Sequence, residues 1–324
     1  MGSIRGLRSE QDNCVPGSRR SVCSKSDAYS ILCPVDFSDA SRHALDHAVV
    51  IAGWYDAHIT ALHVYNRVFL PALPILFAEF PKTILSAEAD RQELEARLQT
   101  WLKPAGAAGL TTDVLFKEGR NPAGRILECA ASLPADLIVL GTQGRSGFER
   151  FVLCSVTEKV LRKANCPVLT VPPPASRATK LPFKRLLCPV DFSEPSIAAL
   201  QFALSIAKES DAHVTVVHVF DWPADDDLLV ERFDAPEFRR QLEDQARRQL
   251  DALISADVRT WCDPATKLRY GKPYRRILEI TENEEADLIV MGVHGRNALD
   301  LMLFGSTTNQ VVRRASCPVL TLKQ

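Results

Sequence analysis

The 324-residue sequence predicts an α/β fold built twice: two repeated doubly wound sandwiches, each around a parallel sheet. Three observations carry that expectation. The run Leu32-Cys33-Pro34-Val35-Asp36-Phe37-Ser38 returns as Leu187-Cys188-Pro189-Val190-Asp191-Phe192-Ser193, and Ala135-Asp136-Leu137-Ile138-Val139 returns as Ala286-Asp287-Leu288-Ile289-Val290. Within each copy, short apolar runs alternate with longer amphipathic ones. The short runs are apolar throughout, not at every second residue, as in strands covered on both faces.

The elements follow in order. Tyr29–Val35 reads as a buried strand ending at Asp36. Ser38 offers a helix N-cap, and Ala44, Ala48, Val49, Ile51 and Ala52 give that helix its apolar face. Ala57–Tyr65 is a second strand. Ala87–Leu102 carries Leu94, Leu98 and Leu102 at helical spacing. Thr111–Phe116 is a third strand, and Pro122–Leu133 a helix with proline in its first turn. Leu137–Gly141, Ser155–Ala164 and Pro167–Val171 complete the copy as strand, helix and strand. The second copy gives strands at Arg185–Val190, His213–Phe220, Lys267–Tyr270, Leu288–Gly292 and Val319–Leu322. Its helices fall near Ser196–Lys208, Pro236–Ile254, Pro273–Glu284 and Ser306–Ala315.

These assignments divide the chain into a flexible tail at 1–28, a first domain at 29–172, a proline-bearing linker at 173–184 and a second domain at 185–324. The linker is short enough to let the domains dock on one another. The copies differ at Val68–Phe80, an apolar segment with two prolines whose counterpart, Asp221–Phe233, is acidic. A contact with the other domain or a partner subunit is the favoured reading of this segment, and a lid the sharper one.

Bulk properties narrow the function. A net charge of -1 gives no case for a nucleic-acid or anionic-membrane partner. No apolar stretch in 1–28 is long enough for a signal peptide or a membrane span, so a cytoplasmic location is expected. The nine cysteines show neither a C-x-x-C pair nor zinc spacing with histidine, and Cys33, Cys188, Cys166 and Cys317 lie in apolar runs. They read as reduced, buried thiols.

In an open parallel sheet, ligands collect at the carboxyl ends of the strands. The second copy brings Pro189-Val190-Asp191, Val219 and the stretch Met291–Thr308 to that edge. Gly292-x-x-Gly295, nine residues, then Gly305-Ser306 makes a glycine-rich turn ending at a helix start, where free amides and the positive dipole end suit phosphate. Ser306, Thr307 and Thr308 add hydroxyls. Asp191 is placed to accept from a ribose hydroxyl or to approach a magnesium ion, and Val219 offers an apolar wall to a base. His294 reads as a ligand-contacting or solvated loop residue, since no partner for acid–base work accompanies it. No catalytic residue is assigned. There is no Walker lysine and no G-x-G-x-x-G. The first copy offers Pro34, Val35, Asp36, Val64, Gly141, Gly144, Ser155, Val156 and Thr157, but Cys154 replaces the third glycine. If that glycine serves a positive φ or a tight phosphate contact, the cysteine carries a steric cost.

With these motifs in view, the sequence resembles a tandem universal stress protein over nearly all of residues 29 to 323. The resemblance rests on the Pro-Val-Asp-Phe-Ser strand ends, the His-Val endings of the second strands and the Gly292/Gly295/Gly305-Ser306 spacing, which is similar to the family's ATP-binding signature. It implies a five-stranded parallel sheet of order 3-2-1-4-5 and pairing through the fifth strands, here as an internal pseudo-dimer or in a homodimer. By the same resemblance, Asp191 and Val219 meet adenosine, while Gly292, Gly295, Gly305, Ser306 and Thr307 surround ribose and phosphates. The function implied is a stress-response module whose conformation or partners depend on ATP, with magnesium as an accompanying ion. A slow ATPase or phosphotransferase and a nucleotide-free scaffold remain as alternatives.

Overall fold

A computed structural model describes residues 29–65, 86–143, 153–173, 182–221, 236–262, 264–293 and 305–323. Among them, one ten-stranded sheet runs through the molecule. The first half supplies strands β1 (Ser30–Pro34), β2 (His58–Tyr65), β3 (Thr112–Glu118), β4 (Leu137–Gly141) and β5 (Val168–Val171). The second supplies β6 (Arg185–Pro189), β7 (His213–Phe220), β8 (Ala265–Tyr270), β9 (Leu288–Gly292) and β10 (Val319–Leu322). The order β3-β2-β1-β4-β5-β10-β9-β6-β7-β8 is the expected 3-2-1-4-5 arrangement twice over. Strands within each half are parallel, and the fifth strands meet antiparallel.

That meeting makes the internal pseudo-dimer. Leu320 pairs with Leu169, flanked by Val319 with Thr170 and Thr321 with Val168. Thr170 and Thr321 donate their hydroxyls across the seam to the carbonyls of Val319 and Val168, at 3.1 and 3.2 Å. All four residues of β5 and of β10 are buried, so neither strand is an exposed edge.

Helices cover both faces. On one lie α1 (Asp39–Tyr55), α2 (Ser86–Ala107), α5 (Glu194–Ser210) and α6 (Pro236–Leu253); on the other lie α3 (Pro122–Ser132), α4 (Ser155–Lys163), α8 (Pro273–Asn283) and α9 (Ser306–Arg314). Each face has its own apolar core, and each core draws residues from both halves. The strand centres point alternately into one and the other. Cys33 and Cys188 face the α1/α5 side, whereas Leu32 and Leu187 face the α3/α8 side. Full burial of such a side chain contributes roughly 1.5–3 kcal/mol.

Two differences from the sequence expectation have local causes. A short helix α7 (Ala256–Trp261), with the Ser255 hydroxyl accepting from the Val258 amide, escapes detection because six residues are too few for a helical period to show. Helix α2 runs past Leu102 to Ala107 with Pro104 inside it. Leu98, Leu102 and Ala105 are all buried on one face, and that packing outweighs the hydrogen bond the proline cannot make.

Candidate functional site

Each first strand ends in the same turn. Asp36 Oδ1 accepts from the Ser38 amide at 3.0 Å and from its hydroxyl at 2.5 Å; Asp191 accepts from Ser193 at 3.1 and 2.5 Å. The serines also cap α1 and α5, accepting from the amides of Ser41 and Ser196. Between aspartate and serine the chain enters left-handed conformation at a bulky residue, with φ of 63° at Phe37 and 65° at Phe192. That costs roughly 1–2 kcal/mol for a non-glycine residue. Ring contacts hold it there. Phe37 lies 4.9 Å from the His63 ring and 5.4 Å from Trp101, and Phe192 lies 4.6 Å from His218.

Those histidines explain the His-Val endings of the second strands. The Nδ1–H of His63 donates to the Val35 carbonyl and that of His218 to the Val190 carbonyl, both at 2.7 Å and both buried. They tie the end of the second strand to the end of the first, which keeps the aspartate turn at a fixed place on the sheet.

The glycines divide into two kinds. A Cβ on Gly292 would stand 2.9 Å from the backbone carbonyl carbon of Pro195, and one on Gly141 would stand 2.9 Å from that of Ala40. Both glycines therefore let the fourth strand press against the first turn of α1 or α5. Gly305 is different. It precedes α9 with φ -54° and ψ 134°, while Cys154 precedes α4 with φ -55° and ψ 132°. The conditional expectation of a positive φ at Gly305 is thereby corrected: the two backbones match, and cysteine is unstrained there. What distinguishes the positions is the side chain. Neither helix start has a side-chain cap, unlike α1 and α5, so the first-turn amides of α4 and α9 are left to other acceptors. The hydroxyls expected to serve as ligand donors divide too. Thr308 donates to the Gly292 carbonyl at 3.0 Å and Thr157 to that of Gly141 at 2.9 Å, so both clamp the helix to the strand end.

In the first domain these parts enclose an open cleft of about 220 Å³. Pro34, Val35, Asp36, Val64, Gly141, Val156 and Thr157 line it, as do Gln143 and Cys154. Ser155 is exposed at the helix start and stands outside the lining, and Gly144 lies outside the described residues. Ser41, Leu62, Pro122, Ile126 and Leu140 also line the cleft and are missed by motif reading. The apolar face of the third helix, directed at its proline end toward the strand tips, is the signal that would have found Pro122 and Ile126. In the second domain Pro189, Val190, Asp191, Val219, Met291, Gly292, Gly305, Ser306, Thr307 and Thr308 occupy the same strand ends and helix start. His294, Gly295 and the Val68–Phe80 segment lie outside the described residues.

Comparison with known proteins agrees with this architecture. The family model described as the universal stress protein family matches residues 29–172 and again 182–323. The chain belongs to the universal stress protein family. A universal stress protein of Methanocaldococcus jannaschii is 39% identical over 144 residues, covering 44% of this chain and 82% of its own. One from Mycolicibacterium smegmatis is 27% identical over 308 residues, 91% of this chain and 97% of that one. The crystal structure of a universal stress protein from Archaeoglobus fulgidus superposes with a TM-score of 0.66 over 92% of this chain and 99% of its own, at 23% identity. That last likeness is one of fold.

Within this universal stress protein framework Cys33, Cys188 and Cys317 are buried thiols as expected, whereas Cys166 is half-buried. Complete burial pushes the Cys33 and Cys188 thiols far up, and burial with the Asp136 charge raises Cys166 to about 11. Among the described residues no helix is long and apolar enough to cross a membrane, and no group of three His, Cys, Asp or Glu side chains is clustered to hold a metal. The turn before the third helix is pinned alike in both domains. Arg125 Nε donates to the Glu118 carbonyl and Arg276 Nε to that of Tyr270, and each guanidinium also pairs at 2.7 Å with the glutamate three residues on. The two domains place their cations at this turn differently, the first having Arg120 directly before Asn121 with no counterpart in the second. Lys272 and Arg275 stand where the first has Asn121 and Gly124, and a hydrogen bond from Arg275 with the Arg314 charge holds the Tyr274 phenol below its ordinary range.

Proposed function

We propose that this universal stress protein is an adenine-nucleotide-binding regulatory module, with the second domain as the principal seat for ATP. The observation that carries the reading is the cleft at the ends of β1, β2 and β4, which gathers into one cavity a carboxylate, an apolar wall and a helix start without a side-chain cap. The repeat puts the same parts at the ends of β6, β7 and β9, with glycine in place of cysteine at the helix start. A triphosphate suits that start, because amides and dipole face it and no Cβ projects from residue 305. Asp191 is the group that would meet a ribose hydroxyl or stand near magnesium, and magnesium when bound would neutralise phosphate charge. The first turn of α9 carries no acidic residue, and Lys272 and Arg275 bring positive charge to the α8 turn, where Lys272 stands 3.8 Å from the Asp221 carboxylate.

Binding is the activity proposed for these positions; turnover would need a base, a positioned water and charge-neutralising groups acting together. A ligand on β9 has a short route to the other domain, because β9 pairs with β10 and β10 with β5. An arrangement that holds nucleotide more tightly gains population by that difference in affinity. The test is mass spectrometry of small molecules released from freshly isolated protein, followed by titration of the stripped chain with magnesium-ATP. Adenine nucleotide is expected in the first measurement and saturable binding, weakened at least about tenfold by Asp191→Ala, in the second. Absence of both would overturn the reading.

A further inference from the structure

A second cavity lies away from the strand ends, where the two halves join. It sits on the α1/α5 side of the sheet, between those helices and the strands β4, β5, β9 and β10, and shares no lining residue with the first-domain cleft. We infer that this seam cavity is a binding site for a small uncharged apolar molecule of the hydrocarbon class. The inference is independent of the nucleotide reading.

Three observations converge on it. First, the walls are carbon almost throughout. Leu169 and Leu320, paired at the centre of the seam, line it together with the rings of Trp54, Tyr55, Phe183 and Phe202. Two polar side chains of the lining are engaged with residues outside it: the Asp136 carboxylate accepts from the Ser30 amide at 2.9 Å, and the Tyr55 hydroxyl bonds to Glu209. Second, the size excludes a simple void. At about 50 Å³ the cavity exceeds the roughly 10–15 Å³ that a water needs, but a water also needs two to four polar partners, which carbon walls do not supply. A cavity of about 150 Å³ with similar walls stays dry and takes benzene or xenon, so this smaller one suits a short hydrocarbon. A charged molecule would lose its hydration there with nothing to replace it. Third, the repeat does not demand the aromatic wall. Trp54 and Tyr55 stand where the second half has Glu209 and Ser210, and Phe183 and Phe202 stand where the first has Ala28 and His47. Four rings thus converge on one cavity from positions that lack a Phe, Tyr or Trp in the other copy. Trp54, Tyr55 and Phe202 are only half-buried, which leaves a way in between α1 and α5. An occupant bound to the folded chain alone adds to its stability, and this one would do so where the halves meet.

Crystals of the full-length protein pressurised with xenon give the first test. Expected is xenon bound between Trp54, Phe202 and Leu320, with no ordered water beside it. Thermal unfolding with benzene gives the second. Ile206 lines the cavity, and Ile206→Ala widens it toward the size that takes benzene. Saturating benzene should raise that variant's midpoint by at least about 2 °C and the unaltered chain's by less. Benzoate, a charged molecule with the same ring, should raise neither. Ile206→Phe fills the cavity from the same position and should lose the xenon site. Water or the chain's own residues in the cavity would overturn the inference, and so would xenon at other internal sites with none here. Benzene that leaves Ile206→Ala unshifted, or benzoate that acts as strongly as benzene, would also overturn it. Should a variant fail to fold, xenon in the unaltered chain decides. An empty or filled seam cavity leaves the nucleotide reading as it stands, and a chain without nucleotide leaves this inference as it stands.

Discussion

Gly292 and Gly305 bracket one loop, and the demands on them are opposite. At Gly292 the main chain of Pro195 leaves no room for a Cβ, and a backbone neighbour cannot swing aside as a flexible side chain would. Gly292→Ala is expected to lower unfolding stability by about 1–3 kcal/mol in a denaturant titration. Gly305 has a negative φ that any residue adopts, so Gly305→Cys should leave stability within about 0.5 kcal/mol while weakening ATP binding. A large stability loss at Gly305, or none at Gly292, would contradict this division between packing glycine and access glycine. Phe37 and Phe192 teach the related lesson that left-handed backbone is not reserved for glycine. Their rings are held by the histidines that also fix the second strand, and the contact outweighs the strain.

Among the helices, α1 carries a pH dependence its counterpart α5 lacks. His47 is buried in α1, donates its Nδ1–H to the His43 carbonyl at 2.7 Å and leaves Nε2 buried without a partner; the repeat puts Phe202 there. Protonation would place a charge and an unpaired N–H in that setting, so desolvation lowers the histidine below its ordinary value of 6.5, against the opposing pull of the His43 carbonyl and Asp46. The unfolded chain therefore binds a proton that the folded chain refuses. Stability from this group is complete above about pH 6.5 and is lost as pH falls below it toward the depressed folded value. Comparing unfolding midpoints between pH 7.5 and 5 should show a shallower acid decline in His47→Gln than in the unaltered chain. Equal slopes would exclude His47 as a source.

At the scale of the molecule, the seam sets the behaviour. Two cores run across both domains, β5 and β10 are buried on each other, and Tyr55 of one half reaches Glu209 of the other, a contact that joins burial in pushing the phenol's pKa up. The domains should therefore unfold together, as one calorimetric transition. Leu320, opposite Leu169, is the residue to test. Leu320→Asp puts a carboxylate between two apolar layers, where an unpaired charge costs several kcal/mol. The expected result is an earlier, divided transition. A single transition at the original temperature would mean that the strand pairing contributes little to the coupling.

The sequence by itself determined the alternation of strand and helix, the twofold repeat and the strand-end aspartates. Those features are local: apolar runs, helical spacing and repeated motifs are written along the chain and survive without knowledge of neighbours. Strand order and pairing through the fifth strands were legible through family resemblance, because pairing partners lie far apart in sequence; the antiparallel sense of that seam came from the structure. Tertiary structure alone decided what Gly292, Thr308 and His218 do, since each acts on an atom of another element: the Pro195 carbonyl carbon, the Gly292 carbonyl oxygen and the Val190 carbonyl oxygen. It also decided that Cys154 is unstrained and lines a cleft, because a backbone angle and a side-chain direction are consequences of the folded packing around them.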